Sequence, residues 1–418
     1  MSKFMEDLKW RGLIHTISDE EKLEQLLKGQ IKLYLGVDPT ADSMHIGHLV
    51  QVIMLLRFQK EGHIPVSLMG TGTGKIGDPS GKKSERTLLD YEVIDFNAKK
   101  IEQQVRHILN SNVNNEPIFL DNASWGDKIS MFDFLREYGK YFSINTMLAK
   151  DIVANRLEIG ISFTEFSYSI LQAIDWLTMY EQYGVQVQIG GSDQWGNFTA
   201  GLDLIRKKHP DAEVAGLTSP LVTKSDGTKF GKTESGSIWL DPDKTSPYEF
   251  YQFFINTADA DVINYLKMFT LLSREEIEAL EVSLKENPHL REAQKALAKE
   301  LTCLVHSPEE YERAVEISKA LFSGDIKSLS IEEIKNTFKG VPESFINDEE
   351  LNVVDFLVQS TICKSKREAR EFVSGNSIRI NGNLVNDLDT LICKKDAFNQ
   401  EVNIVRRGKK KYYRVSYK

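Results

Sequence analysis

The stretch DPTADSMHIGHL, residues 38–49, sets His45 and His48 three positions apart, at the edge of an apolar run. Such a pair could ligate a metal, move a proton or bind an anion. A zinc site wants three or four ligands, and no third ligand of suitable spacing lies nearby. Asp38, Pro39, Thr40 and Gly47 surround the pair where a strand-like run hands over to a helix. The first turn of a helix carries unpaired N–H groups and partial positive charge, which suits phosphate. Gly47 puts no side chain between the histidines, leaving room for a flat ligand. The residues favour a phosphate or nucleotide site over two unrelated surface histidines.

Two other stretches offer cations. Gly72, Gly74 and Gly77 match GxGxxG after a strand-like run, but Pro79 and Gly81 stand where a dinucleotide fold opens its helix. A P-loop fails as well, since neither Lys75 nor Lys82 is followed by Ser or Thr. What remains is a loop ending in Lys82, Lys83 and Arg86, suited to clamping phosphates or to lying solvated. In KFGKT, Lys229 and Lys232 bracket a glycine just after the turn-like TKSDGT, and Thr233 follows. Lysines on such a loop can close over a polyphosphate, though charged turns are common. Tyr168, Gln172 and Asp175 fall at i, i+4 and i+7, one helix face, within FSYSILQAIDW. A polar stripe there is either solvated or hydrogen-bonds a polar ligand.

Elements must position these groups. IKLYLGV, HIPVSLM and VQVQIGG read as buried strands with helical stretches between them. This alternation predicts an α/β layer with a mostly parallel sheet and a ligand crevice at the strands' carboxyl ends. The region 245–322 reads as helix after helix, 323–351 as a polar linker, and 352–418 as helix followed by strands. Length alone suggests roughly three domains. With 41% hydrophobic and 27% charged residues, the composition is that of a soluble globular protein. No apolar run spans a bilayer, and the three cysteines contain no CxxC, which predicts a cytoplasmic protein.

The net charge of −9 is uneven: residues 352–418 carry +7 and the remainder −16. A basic tail on an acidic body suits a polyanion partner or a solvated surface. SKREAREFVSGNSIRINGNLV supplies Lys364, Lys366, Arg367 and Arg370 on or near a helix. RRGKKKYY adds Arg406, Arg407, Lys409, Lys410 and Lys411 beside two tyrosines. Basic residues hold phosphates and aromatics stack on unpaired bases.

A HIGH-type motif followed about 180 residues later by a KMSKS-type loop resembles the class I aminoacyl-tRNA synthetases. YLGVDPTADSMHIGH, GDPSGKKSERT, GISFTEFSYSILQAIDW, QIGGSDQWGN and KFGKTESG narrow the resemblance to bacterial-type tyrosyl-tRNA synthetases, across essentially the whole chain. The family implies a Rossmann-like catalytic domain (1–244), a helical anticodon-recognition domain (245–322), a linker (323–351) and a small α+β RNA-binding domain (352–418). It implies ATP with Mg2+, L-tyrosine and tRNA(Tyr) as substrates, no tightly bound cofactor, no dedicated metal site, no membrane and no DNA. Matching positions place Tyr168, Gln172 and Asp78 at the tyrosine ammonium and Tyr34 and Asp175 at its phenol. Gln188, Asp193 and Gln194 complete tyrosine and ribose contacts, with Gly36, Asp38 and Gly47 at the nucleotide. Thr40, His45 and His48 would meet the ATP phosphates, and Lys82, Arg86, Lys229, Lys232 and Thr233 would close over the pyrophosphate. A homodimer follows too, with Phe163 as a two-fold contact. One position departs: Leu35 replaces a frequent cysteine near the ribose, and leucine cannot donate a hydrogen bond. Tryptophanyl-tRNA synthetase is the neighbouring alternative, but a basic tail and a Tyr34/Asp175 pair suit tyrosine better.

Overall fold

The computed structural model describes residues 2–80, 88–109, 115–154, 156, 160–225, 227–228, 230–233, 236–323, 326, 329–338, 341–408 and 411–418, with backbone alone at 151–152, 232–233 and 321–323. The chain forms two compact units, one of residues 1–245 and 253–305, the other of 246–252 and 306–418.

The first unit is built on a six-stranded sheet of β1 (Thr16–Ile17), β2 (Lys32–Val37), β3 (Ile64–Met69), β4 (Ile118–Asp121), β5 (Val185–Gly191) and β6 (Ala215–Ser219). Its order is β1-β6-β5-β2-β3-β4, parallel throughout except for the antiparallel edge strand β1. The chain runs outward from β2 through β3 to β4, then returns to the other side of β2 with β5 and β6. This reversal makes β2 and β5 a topological switch point, where such sheets open a crevice at their carboxyl ends.

Four helices connect these strands: α1 (Ile46–Lys60), α2 (Tyr91–Leu109), α3 (Phe163–Tyr183) and α4 (Trp195–Lys208). Helix α1 buries side chains on nearly every side, from Ile46 through Gln59, because apolar residues surround its axis. Ser162 caps the start of α3 by accepting from the Glu165 N–H, and Gly184, at φ 69°, ends it in the left-handed conformation that glycine adopts without strain. A core of Val66, Leu68, Ile174, Trp176, Leu177, Leu202 and Val214 joins the sheet to α3 and α4. Helices α5 (Asp259–Phe269), α6 (Arg274–Glu286) and α7 (Glu292–Val305) belong to this unit too.

The second unit joins α8 (Pro308–Ser323), α9 (Ile331–Thr337), α10 (Val353–Gln359) and α11 (Lys366–Ser374) to a five-stranded sheet. That sheet comprises β9 (Glu343–Ile346), β11 (Ile378–Ile380), β12 (Asn383–Val385), β14 (Val402–Arg407) and β15 (Lys411–Tyr417), following the hairpin β7 (Lys232–Thr233) and β8 (Gly236–Ser237) of the first unit. The short pair β10 (Glu350–Asn352) and β13 (Leu391–Cys393) stands beside it. Its two faces have separate cores: Val405, Ile378 and Val415 pack with α10 and α11, while Val402 and Ile404 pack with Ile317, Ile334 and Phe338.

The helical run expected as a single block is therefore shared between the two units. The stretch read as a polar linker carries α9 and β9, and β9 pairs in parallel with β15. Its few apolar residues suffice because Ile334, Phe338 and Ile346 are buried against the sheet and its neighbours. Polarity along one short segment does not reveal that a distant strand will bury its minority face.

Candidate active site

The histidine pair forms the start of α1. His45 is its N-cap: its Nδ1 accepts from the Gly47 N–H at 3.1 Å, while His48 Nδ1 accepts from the His45 N–H at 3.4 Å. With each Nδ1 accepting, the proton of each neutral ring resides on Nε2. The rings stack with centroids 3.9 Å apart and planes 13° apart. Burial, and then the neighbouring His45, hold the His48 imidazole well below the usual histidine value. His48 is thus a neutral N–H donor stacked on His45 at a positive helix end, an arrangement suited to anionic oxygens. The space at Gly47 is taken by the ring of His45, since a Cβ there would stand 2.8 Å from its Cε1.

The KFGKT loop lies against this motif. The Ile46 N–H donates to Ile238 O (3.0 Å), the Leu240 N–H to Met44 O (2.9 Å) and the Ile238 N–H to Gly231 O (3.1 Å). Gly231 has φ +83°, and a Cβ there would lie 2.7 Å from Ile46 Cγ1, so only glycine lets the loop approach so closely. Phe230 anchors the loop among the rings of Phe253, Phe254, Tyr265 and Phe269. For Lys232 and Thr233 the structure describes the backbone alone, in β7. Lys82, Arg86 and Lys229 lie outside the described residues. Thr40 and Gly36 are exposed at the end of β2. Leu35 is 6% exposed and belongs to the core.

Carboxylates gather at the ends of β2 and β5. Asp38 accepts from Tyr168 Oη at 2.8 Å and from Thr73 Oγ1 at 2.7 Å. Its side chain is thus bound to the Tyr168 cluster. Asp78 accepts from Gln194 Nε2 at 2.6 Å, and Asn197 holds Gln194 Oε1 at 3.1 Å. Burial, then Asp38, Asp78 and Asp175, raise the Tyr168 phenol well above its ordinary value. Burial and Asp78 likewise raise the Asp193 carboxyl. Negative charge concentrated around a buried tyrosine is what a substrate ammonium would neutralise. Gln172 is half-buried near this cluster, and its side chain makes no hydrogen bond among the described residues.

Deeper in, Asp175 is 5% exposed and held by two donors, Trp125 Nε1 at 2.7 Å and Asn122 Nδ2 at 2.9 Å. Burial pushes its carboxyl up to about 7, against the pull of those two N–H groups. The Tyr34 hydroxyl is buried without a partner, and burial and Asp175 raise its pKa. Tyr34 also pairs in register with Gln188 on β5. An orphaned hydroxyl close to a carboxylate offers one donor and one acceptor to a ligand phenol. Tyr34→Phe is therefore expected to leave thermal stability unchanged or slightly raised, while weakening L-tyrosine binding about tenfold, the worth of roughly one hydrogen bond. Equilibrium dialysis with L-tyrosine and L-phenylalanine checks both the loss and a matching fall in discrimination.

Thr73, Asn122 and Trp125 escaped the sequence reading. Asn122 donates to Thr73 Oγ1 (2.9 Å) as well as to Asp175, so these residues link the Asp38 cluster to Asp175. Their signal was positional: all three lie within four residues of the carboxyl ends of β3 (Met69) and β4 (Asp121), where crevice residues concentrate. Gly70 completes the arrangement, since a Cβ there would stand 2.1 Å from Asp38 Oδ1.

Of the basic tail residues, Lys364, Lys366, Arg367, Arg370 and Lys411 are exposed, with Lys366 paired to Asp355 at 2.6 Å and Arg367 to Glu371 at 3.1 Å. Arg407 is occupied within its own unit. It donates to Ile362 O at 2.6 Å, lies 3.6 Å from Glu368 and sits over the Phe372 and Tyr413 rings. Lys409 and Lys410 lie outside the described residues.

Residues 26–323 match the family model for class I tRNA synthetases (W and Y), and residues 333–415 that for the tyrosine–tRNA ligase SYY-like C-terminal domain. The chain is 54% identical to tyrosine–tRNA ligase 1 of Bacillus cereus over 415 residues, covering 99% of both chains. It is 54% identical over 416 residues to the tyrosine–tRNA ligase of Listeria monocytogenes, again covering 99% of both. Among solved structures, a C-terminally truncated mitochondrial tyrosyl-tRNA synthetase of Aspergillus nidulans aligns with TM-score 0.69 at 33% identity, over 77% of this chain and 95% of that one. A tryptophanyl-tRNA synthetase of Encephalitozoon cuniculi shares the fold at 14% identity, with TM-score 0.54 over 74% of this chain and 87% of that one. The chain belongs to the class I tRNA synthetases of the tryptophan and tyrosine group and, within it, to the bacterial-type tyrosine–tRNA ligases.

Proposed function

We propose that the crevice at the β2/β5 switch point carries out both steps of tyrosine–tRNA ligation. The carboxylate of L-tyrosine attacks the α-phosphate of ATP, pyrophosphate leaves, and the tyrosyl-adenylate stays bound. A terminal ribose hydroxyl of tRNA(Tyr) then takes the tyrosyl group and AMP departs. The attacking carboxylate is already a nucleophile, so the first step needs no general base. The observation that carries this reading is the Tyr34/Asp175 pair, an unpartnered buried hydroxyl and a buried carboxylate fitted to a phenol.

Asp38, Asp78, Tyr168 and Gln172 surround the ammonium, while Gln188, Asp193 and Gln194 serve the substrate backbone and ribose. Gly36, Gly47 and Thr40 line the nucleotide side. His45 and His48 donate to the phosphates; Lys82, Arg86, Lys229, Lys232 and Thr233 close over the departing pyrophosphate, with Mg2+ arriving on ATP. Catalysis then comes from positioning and from donors matched to developing charge. Residues 1–244 serve catalysis, 245–322 the anticodon and 352–418 the rest of the tRNA, in a cytoplasmic protein. Tyrosine-dependent exchange of pyrophosphate into ATP tests the reading. Tyrosine should support exchange while tryptophan and phenylalanine do not, and equal exchange with tryptophan would overturn it.

The assembly is a homodimer in this reading. Phe163 is 70% exposed at the start of α3, and Met131, Phe132 and Ile144 of the same unit are 74%, 83% and 65% exposed. Large apolar groups left so open mark an association surface. Phe163→Asp is expected to shift the protein from dimer to monomer in sedimentation velocity at micromolar concentration. An unaltered dimer would remove Phe163 from the interface.

A further inference from the structure

On the second unit's sheet, Arg379 of β11 stands directly opposite Arg406 of β14, and Arg406 stands opposite Tyr412 of β15. Residues paired in this way project from the same face, with Cβ atoms about 5 Å apart. The three, with Ile326, Gly382 and Ile404, line one recess. Two guanidinium groups opposed across a ladder repel each other, so a counter-ion is expected. None is present: neither arginine forms an ion pair among the described residues, Arg379 Nη1 reaches only Gly382 O at 3.1 Å, and Arg406 Nε is buried without a partner. The contrast on the same strand face is Arg414, which Glu343 neutralises at 2.7 Å.

The recess lies on the sheet face opposite the basic helix α11. Strand alternation turns Val405 and Arg407 toward α10 and α11, and Ile404 and Arg406 the other way. We propose that Arg379 and Arg406 together bind one phosphodiester of the tRNA backbone, with Tyr412 closing the recess beside them. The proposal rests on the ligase reading above, which supplies the polyanion, and adds a second contact face to the one α11 presents. A phosphate between the two arginines removes their mutual repulsion and satisfies the buried Nε, so binding gains where the free protein is strained.

The test compares Arg379→Gln/Arg406→Gln with Lys366→Gln/Arg367→Gln on α11, in the full chain. Aminoacylation is followed against tRNA concentration from low to moderate salt, alongside tyrosine-dependent pyrophosphate exchange without tRNA. For the sheet variant we expect the tRNA KM to rise about tenfold and the slope of log KM against log salt to fall by about 1, the signature of one lost phosphate contact. Exchange should stay at the wild-type rate, and the melting temperature should hold or rise as the repulsion is relieved. An unchanged KM and slope, with exchange intact, overturns the proposal. If only the α11 variant weakens tRNA use, RNA binding by this unit stands and the Arg379–Arg406 site falls. Should the double variant melt lower than wild type, the single Arg379→Gln, at a half-buried position, decides by the same slope.

Discussion

Asp175→Asn is expected to lower kcat/KM for tyrosine in pyrophosphate exchange by about three orders of magnitude. Two donors, Trp125 Nε1 and Asn122 Nδ2, each take one carboxylate oxygen. An asparagine has one acceptor and must turn an N–H₂ toward one of those donors, leaving a buried polar group unpaired. Unpaired buried groups cost ~1–3 kcal/mol each, more when the lost partner was ionised. The acceptor for the substrate phenol weakens as well, so a total near ~4 kcal/mol, a factor of about 10³, is the reasonable scale. The effect should divide unequally, with tyrosine affinity falling more than phenylalanine affinity, because phenylalanine makes no bond to this group. A pH series sharpens the test. Burial raises the Asp175 carboxyl to about 7 in the free enzyme, so the ionised acceptor is fully present only above that pH. Wild-type tyrosine affinity should weaken as pH falls through 7, and the asparagine variant should show no such limb. Retention of full tyrosine exchange by the variant, confirmed as folded by thermal melting, would take Asp175 out of the pocket.

His48→Ala is the second large effect, and its signature is different. Removing one N–H donor from a site where phosphate charge develops costs on the order of 10²–10³ in rate. His48 also accepts the His45 N–H and stacks on the His45 ring, so its loss frees the neighbouring imidazole. The expected outcome is adenylate formation slowed at least 10²-fold with tyrosine affinity unchanged, measured by rapid-mixing fluorescence with separate tyrosine titration. Because the His48 imidazole is held far below the usual histidine value, the wild-type rate should show no limb between about pH 6 and 8 from that ring. A bell-shaped profile centred on a histidine value, abolished in His48→Ala, would make the pair acid–base groups and refute the donor role.

Much of this was written in local patterns. The parallel sheet was legible because IKLYLGV, HIPVSLM and VQVQIGG are short apolar runs with turn residues behind them, and each became a strand at that place. The stripe Tyr168, Gln172 and Asp175 was legible because helical spacing alone puts those residues on one face. Thr73, Asn122 and Trp125 were not, since nothing within GTGTG or DNASWGD states that the loops after β3 and β4 meet through Asn122 and Thr73, one reaching Asp175 and the other Asp38. The linker reading of 323–351 failed for a related reason, as β9 gains its partner from β15 at the far end of the chain.

By itself, the amino-acid order determined the main strands of the parallel sheet, the switch of periodicity between catalytic and helical regions, the charge asymmetry and the family's motif blocks. These depend on residues close in sequence, where side-chain spacing and backbone propensity act directly. Only the tertiary structure decided which groups share a microenvironment. It stacked the two histidines and held His48 neutral, left the Tyr34 hydroxyl unpartnered beside a buried carboxylate, occupied Arg407 while leaving Arg406 without a counter-ion, and laid Gly231 on Ile46. Protonation state and hydrogen-bond vacancy depend on burial and on neighbours contributed by distant segments, and these arise only once the chain has packed.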